Sequence, residues 1–130
     1  MNSASEDIMS MIDGESSLGL TFATDLFVGK EPSTPENCVT IFENPSFPPY
    51  LGLTDTGYFY SSVQIRVRNK DYQTGYDLAR DIMTSLHGRA NETWNGTLYT
   101  VIRASGEPAL LDWDANDRCR FTINFEIQRR

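Results

Sequence analysis

Histidine and cysteine are nearly missing from this chain, with His87 alone and Cys38 and Cys119 as the only thiols in 130 residues. Two cysteines without neighbouring Cys or His spacing exclude a disulfide scaffold and a zinc site. They read as reduced thiols in or near the core of a cytosolic protein. A single histidine means that any Ser-His-Asp or Cys-His mechanism would have to use His87 as its base. No run of apolar residues approaches the roughly 20 needed to span a bilayer. The chain opens on Ser, Glu and Asp rather than a basic-then-apolar leader, so the expectation is a soluble protein that is not exported by that route. A Gly-rich phosphate loop and a Gly-x-Ser-x-Gly elbow are also lacking, so no catalytic residue and no cofactor site is assigned.

Basic residues are scarce in the first half: residues 1–65 hold only Lys30 against nine acids, whereas residues 66–130 hold ten basic residues against nine acids. The net charge is −7. Proteins that grip nucleic acid neutralise phosphates with Lys and Arg, so this balance argues against that role. A surface past which DNA must slide without sticking would also be acidic.

What is present is alternation. Cys119, Phe121, Ile123, Phe125 and Ile127 interleave with Arg118, Arg120, Thr122, Asn124, Glu126 and Gln128, and Val63, Ile65 and Val67 interleave with Gln64, Arg66 and Arg68. A period of two describes strands with one packed and one wet face. Both wet faces carry arginine in pairs. Solvent, an acid of the same chain such as Glu126, or an acid of another subunit would have to offset that charge.

Ser3 stands three residues before Glu6, and Ile8, Met11 and Ile12 follow at helical spacing, which predicts a helix from Ala4 to Asp13. Thr21 to Val28 and Cys38 to Glu43 read as strands joined by a Pro-containing loop over 29–37. Residues 44–60 form a long loop rich in Pro, Gly and aromatic rings, among them Tyr50, Tyr58 and Phe59. Such rings either pack on their own domain or form an arm that reaches a neighbour. Asp71 is a candidate N-cap for a helix whose stripe is Tyr72, Tyr76, Ala79, Ile82, Met83 and Leu86, closed by His87-Gly88. Asn95-Gly96 marks a tight hairpin turn, followed by a strand from Leu98 to Ala104, a break at Ser105 to Pro108, and the final strand. Asp112, Asp114 and Asn116 start like a calcium loop, but Asp117 and Ile123 occupy the positions that need Gly and Glu, so the segment reads as an acidic turn. The expectation is one α+β domain over residues 1–130, a two-layer sandwich with a mostly antiparallel sheet and helices packed on one face.

Leu26-Phe27-Val28-Gly29-Lys30-Glu31-Pro32, Pro35-Glu36-Asn37-Cys38-Val39, the Val63 to Arg68 strand leading into Tyr72, Tyr76 and Ala79, then Pro108 and the Phe121 to Ile127 strand, together resemble the minor capsid and tail-terminator family of tailed phages. The resemblance implies a non-enzymatic virion protein of the tail and neck, assembled in the host cytoplasm. It would form a homo-oligomeric ring, usually hexameric, that stops the tail tube and joins tail to head. Its partners would be its own copies, the tail tube protein and a head-completion or connector protein, with DNA passing through and no membrane involved. Tyr50, Tyr58 and Phe59 would then be apolar anchors and Arg66, Arg68, Arg118 and Arg120 would set register between subunits. The alternatives are a connector or neck protein at another level, or a small-molecule-binding α+β regulatory module.

Overall fold

The computed structural model describes residues 1–49 and 57–130. In chain order the elements are α1 (Ala4–Asp13), a single 3-10 turn (Ser16–Leu18), β1 (Leu26–Val28), β2 (Cys38–Asn44), β3 (Phe59–Asn69), α2 (Tyr72–Leu86), β4 (Glu92–Trp94), β5 (Thr97–Ala104), β6 (Ala109–Trp113) and β7 (Cys119–Arg129). The strands form one curled sheet in the order β1-β2-β3-β7-β5-β4, with β6 lying beside β5 along the same edge of β7. Two helices pack against it. The expected mixture of helices and a mostly antiparallel sheet is what forms.

Registration of the three central strands explains the alternation. Val39, Val67 and Phe121 lie in one row, Ile41, Ile65 and Ile123 in the next, and Val63 faces Phe125. All are buried and join Ile8, Met11 and Ile12 of α1 and Ala79, Ile82 and Leu86 of α2 in one apolar cluster. Each such side chain contributes about 1.5 to 3 kcal/mol through burial. That sum is what opposes the chain entropy.

α1 is capped by Ser3, whose hydroxyl accepts the Glu6 amide, and Glu43 of β2 accepts both the amide and the hydroxyl of Ser5 at 2.7 and 2.8 Å. α2 starts where expected: the Asp71 carboxylate accepts from the amide and hydroxyl of Thr74, which also holds that carboxyl below its ordinary value. At the other end His87 caps the helix, and its Nδ1 accepts the Ala104 amide at 2.9 Å. The stripe has one member that periodicity missed. Gly75 is buried against β7, where an added Cβ would lie 3.0 Å from Asn69 Cβ and 3.3 Å from the Phe121 ring. Gly75→Ala is therefore expected to destabilise: overpacking costs about 1 to 3 kcal/mol, against about 1 kcal/mol gained in helix propensity. Urea unfolding checks the sign, and a stabilised variant would mean that Phe121 yields without cost.

Three expectations need correction. The strand over Thr21 to Val28 shrinks to Leu26–Val28, because Ala23 adopts φ 68° and the Asp25 side chain and amide fold back on Thr21 to make a turn. β1 and β2, expected as neighbours in a mostly antiparallel sheet, pair in parallel. A three-residue strand spans only about 10 Å, so the 29–37 connector can return the chain to the starting end, and it does so across the wet face of the sheet. Finally, β6 occupies a stretch read as break and turn. Its residues are all exposed and a bulge between Leu110 and Asp112 destroys any alternation. The Asn95-Gly96 turn is as expected, with φ 50° and 80°, and the β4 strand precedes it.

Candidate assembly interface

The side chains between the core positions of β2, β3 and β7 point away from the helices and form the wet face. Its rows are Cys38, Arg68 and Arg120; Thr40, Arg66 and Thr122; Phe42, Gln64 and Asn124. Arg68 and Arg120 are thus direct cross-strand neighbours, an arrangement that costs stability unless an anion intervenes. Glu31 intervenes. Its Oε1 lies 3.2 Å from Arg68 Nη1 and 3.0 Å from Arg120 Nε. Arg68 also donates to the carbonyls of Pro35, at 2.7 Å, and Glu36, and its side chain is 2% exposed. Arg118 pairs with Asp114 at 2.7 Å and donates to the Ser33 carbonyl at 2.7 Å. Arg120 reaches Asp112 at 3.1 Å.

These contacts bind the 29–37 connector to the sheet. The acids expected opposite the arginines are therefore Glu31, Asp112 and Asp114 of the same chain, while Glu126, the acid singled out from sequence, pairs with Arg103. Arg66 differs from the other three. Its Nη2 donates to Gln64 Oε1 at 3.0 Å and its guanidinium lies 4.7 Å from the Phe42 ring centre, but no acid among the described residues pairs with it.

Asp114 shows how tightly the β6–β7 turn is built. Its Oδ1 accepts the amides of Asn116 and Arg118 at 2.9 and 3.0 Å. Burial alone would push this carboxyl up, but those amides and the Arg118 guanidinium outweigh it and hold it below the ordinary carboxylate range. A depressed folded value means that its stabilisation is complete above the unfolded value near ~3.9 and disappears as pH falls through the folded one. The stability difference between wild type and Asp114→Asn is expected to be constant near neutrality and to shrink below about pH 4. Chemical unfolding across that range measures it; a difference that stays flat into strong acid would show that the carboxylate contributes nothing.

Beyond the arginines the wet face becomes apolar. A groove of 420 Å³ runs between the start of the 44–60 segment and the ends of β3, β5 and β7. Phe47 on its rim is 81% exposed, with Tyr60 and Val101 each 39% exposed. Phe59 is also 39% exposed at the head of β3, and the Arg130 guanidinium stands 5.1 Å from the ring centre of half-buried Tyr58. Tyr50 lies outside the described residues. Phe47, Tyr60 and Val101 were not picked out as site residues from sequence; the usable signal was Phe47 and Tyr60 standing at either margin of a Pro-rich segment. A second exposed apolar set, Leu110, Leu111 and Trp113, follows β6, where Trp113 stacks on Tyr72.

Cys38 and Cys119 are buried free thiols, pushed up chiefly by burial, and Cys119 donates to the Asn69 carbonyl at 3.1 Å. Asp112 lies in β6, Asp114 and Asn116 lie in the turn that leads into β7, and His87 is the helix cap described above. No helix among the described residues is long and apolar enough to cross a membrane.

The structure is similar to a chain from the virion of the native gene transfer agent (GTA) particle, with a TM-score of 0.71 at 11% identity, covering 98% of this chain and 94% of that one. At that identity the likeness is one of fold. No curated protein matches the sequence. The family described as bacteriophage tail terminator protein matches residues 15–130, a span that takes in the 29–37 connector, the three central strands, α2 and the whole apolar groove, and the chain belongs to that family.

Proposed function

We propose that this structural virion protein closes into a ring, hexameric by family resemblance, that caps the tail tube and presents the surface to which the head is joined. The observation that carries this reading is the apolar groove on the wet face. A surface holding Phe47, Tyr60 and Val101 together is the kind that a partner covers. Ring closure requires heterologous contacts, in which two different patches of the same subunit meet. The groove and the arginine-bearing face would supply one patch. The acidic composition suits a bore through which DNA passes without being held, since phosphate is repelled from a negative wall.

The test is mass in solution, alone and with tail tubes, for wild type and Phe47→Asp. Phe47 is almost fully exposed, so the substitution should change stability by no more than about 0.5 kcal/mol. Assembly on tube tips is expected to fall sharply while the fold and melting temperature are retained. Unaltered assembly would remove the groove from the interface, and a wild-type protein that never associates with tubes would overturn the reading as a whole.

A further inference from the structure

Three of the four arginines expected at an interface are paired with acids of their own chain, and the fourth has no acid partner among the described residues. Arg66 is half-buried on the wet face, resting on Phe42 and Gln64. Its Nε is buried and without a hydrogen-bond partner among the described residues. Beside it Thr40 lies directly opposite in register and is fully buried, and by distance and angle its hydroxyl has no hydrogen-bond partner among the described residues. A partly desolvated guanidinium without a counter-charge is costly, and part of that cost is recovered when a carboxylate docks on it.

The complementary surface is on the other side of the molecule. A hollow of 390 Å³ lies between the 3-10 turn and α2, lined by Glu15, Ser17, Leu18, Asp81, Thr84 and Ser85. Two of these are acids, three bear hydroxyls and none is basic. Asp81 is exposed and has no ion-pair partner among the described residues, while Glu15 has Arg89 at 3.7 Å. Arg66 points away from the helices, because its strand neighbours Ile65 and Val67 point into the core beneath them. It therefore cannot reach the hollow of its own chain.

We infer that Arg66 of one copy docks on the Asp81 and Glu15 hollow of a second copy, joining the wet sheet face of each subunit to the helical side of the next. The inference rests on the ring reading and specifies its contact. Opposite charges stand on opposite sides of one molecule, so the contact is head-to-tail, and repetition of a head-to-tail contact closes a ring when the rotation permits. DNA phosphate is the other anion that a free guanidinium would meet. A single arginine between Thr40 and Thr122, on a chain of net charge −7, is poorly suited to hold it.

Charge exchange tests the pairing. Arg66→Glu and Asp81→Arg, each checked for native melting temperature, are expected to reduce assembly on tail tubes by about tenfold or more, and the double variant carrying both is expected to recover most of it. Two single variants that assemble like wild type, or a double variant no better than the worse single one, would overturn the contact while leaving ring formation through another surface intact. Normal assembly of Arg66→Glu with altered retention of DNA would assign Arg66 to phosphate and overturn it likewise. Failure of wild type to assemble under the same conditions would count against the ring itself.

Discussion

Replacing Asp7 by alanine is expected to lower stability by about 3 to 5 kcal/mol, the range for removing one partner of a buried ion pair. Asp7 is fully buried in the first turn of α1. Its carboxylate accepts from Asn95 Nδ2 at 2.6 Å and from the Tyr99 hydroxyl, and it lies 3.9 Å from Arg129 Nη1. Arg129 is itself only 8% exposed and otherwise donates to neutral oxygens of Ser61, Asn2 and Tyr99. The alanine variant would leave a buried cation with no counter-charge. Burial first, and then the bond to Asp7, push the Tyr99 hydroxyl far up, so it stays a protonated donor and loses its acceptor in the variant. For a chain of this size the melting temperature should fall by roughly 10 to 20 °C. Asp7→Asn keeps an acceptor for Tyr99 and should lose less. If the alanine variant cost under about 1 kcal/mol, solvent would be satisfying Arg129 and the cluster would not be a structural anchor.

That anchor also marks where the sequence is legible and where it is not. Ala4, Ile8 and Met11 form the stripe of α1, and Asp7 falls among them at the same spacing, so its place on the buried face could be read. Its partners could not, since Asn95, Tyr99 and Arg129 lie about 90 or more residues away and nothing local fixes that meeting. The same division holds elsewhere. β3, β7 and α2 were readable because one buried face imposes a strict period on each. β6 was not, because a strand with no buried residue carries no period, and the parallel β1–β2 pair depends on where the connector goes rather than on the strands. At the interface, the arginine pairs were visible on the correct face and in neighbouring strands. Which of them would find an acid of their own chain was not, because for Arg68 and Arg120 that is decided by Glu31, whose position follows from the connector's path across the sheet.

Glu31→Ala should therefore affect the connector most strongly. Glu31 is shared by Arg68 and Arg120, and its side chain is 11% exposed. Removing it leaves two adjacent like charges on neighbouring strands. Arg68 keeps only carbonyls, while Arg120 retains Asp112, so the expected loss is about 3 kcal/mol, the lower end for a broken buried pair. The contrast is Lys70→Ala. The Lys70–Glu36 pair lies on the same connector at 3.3 Å, but both side chains are more than half exposed, and such pairs contribute about 0 to 1 kcal/mol. Hydrogen exchange separates the effects: Glu31→Ala should speed exchange in residues 30–37 and at Cys38 to Thr40, whereas Lys70→Ala should leave both near wild type. High salt should weaken the exposed pair and leave the buried one largely unchanged. Equal losses from the two substitutions would mean that the connector is held by its backbone contacts to Arg68 and Arg118, with the charge of Glu31 incidental.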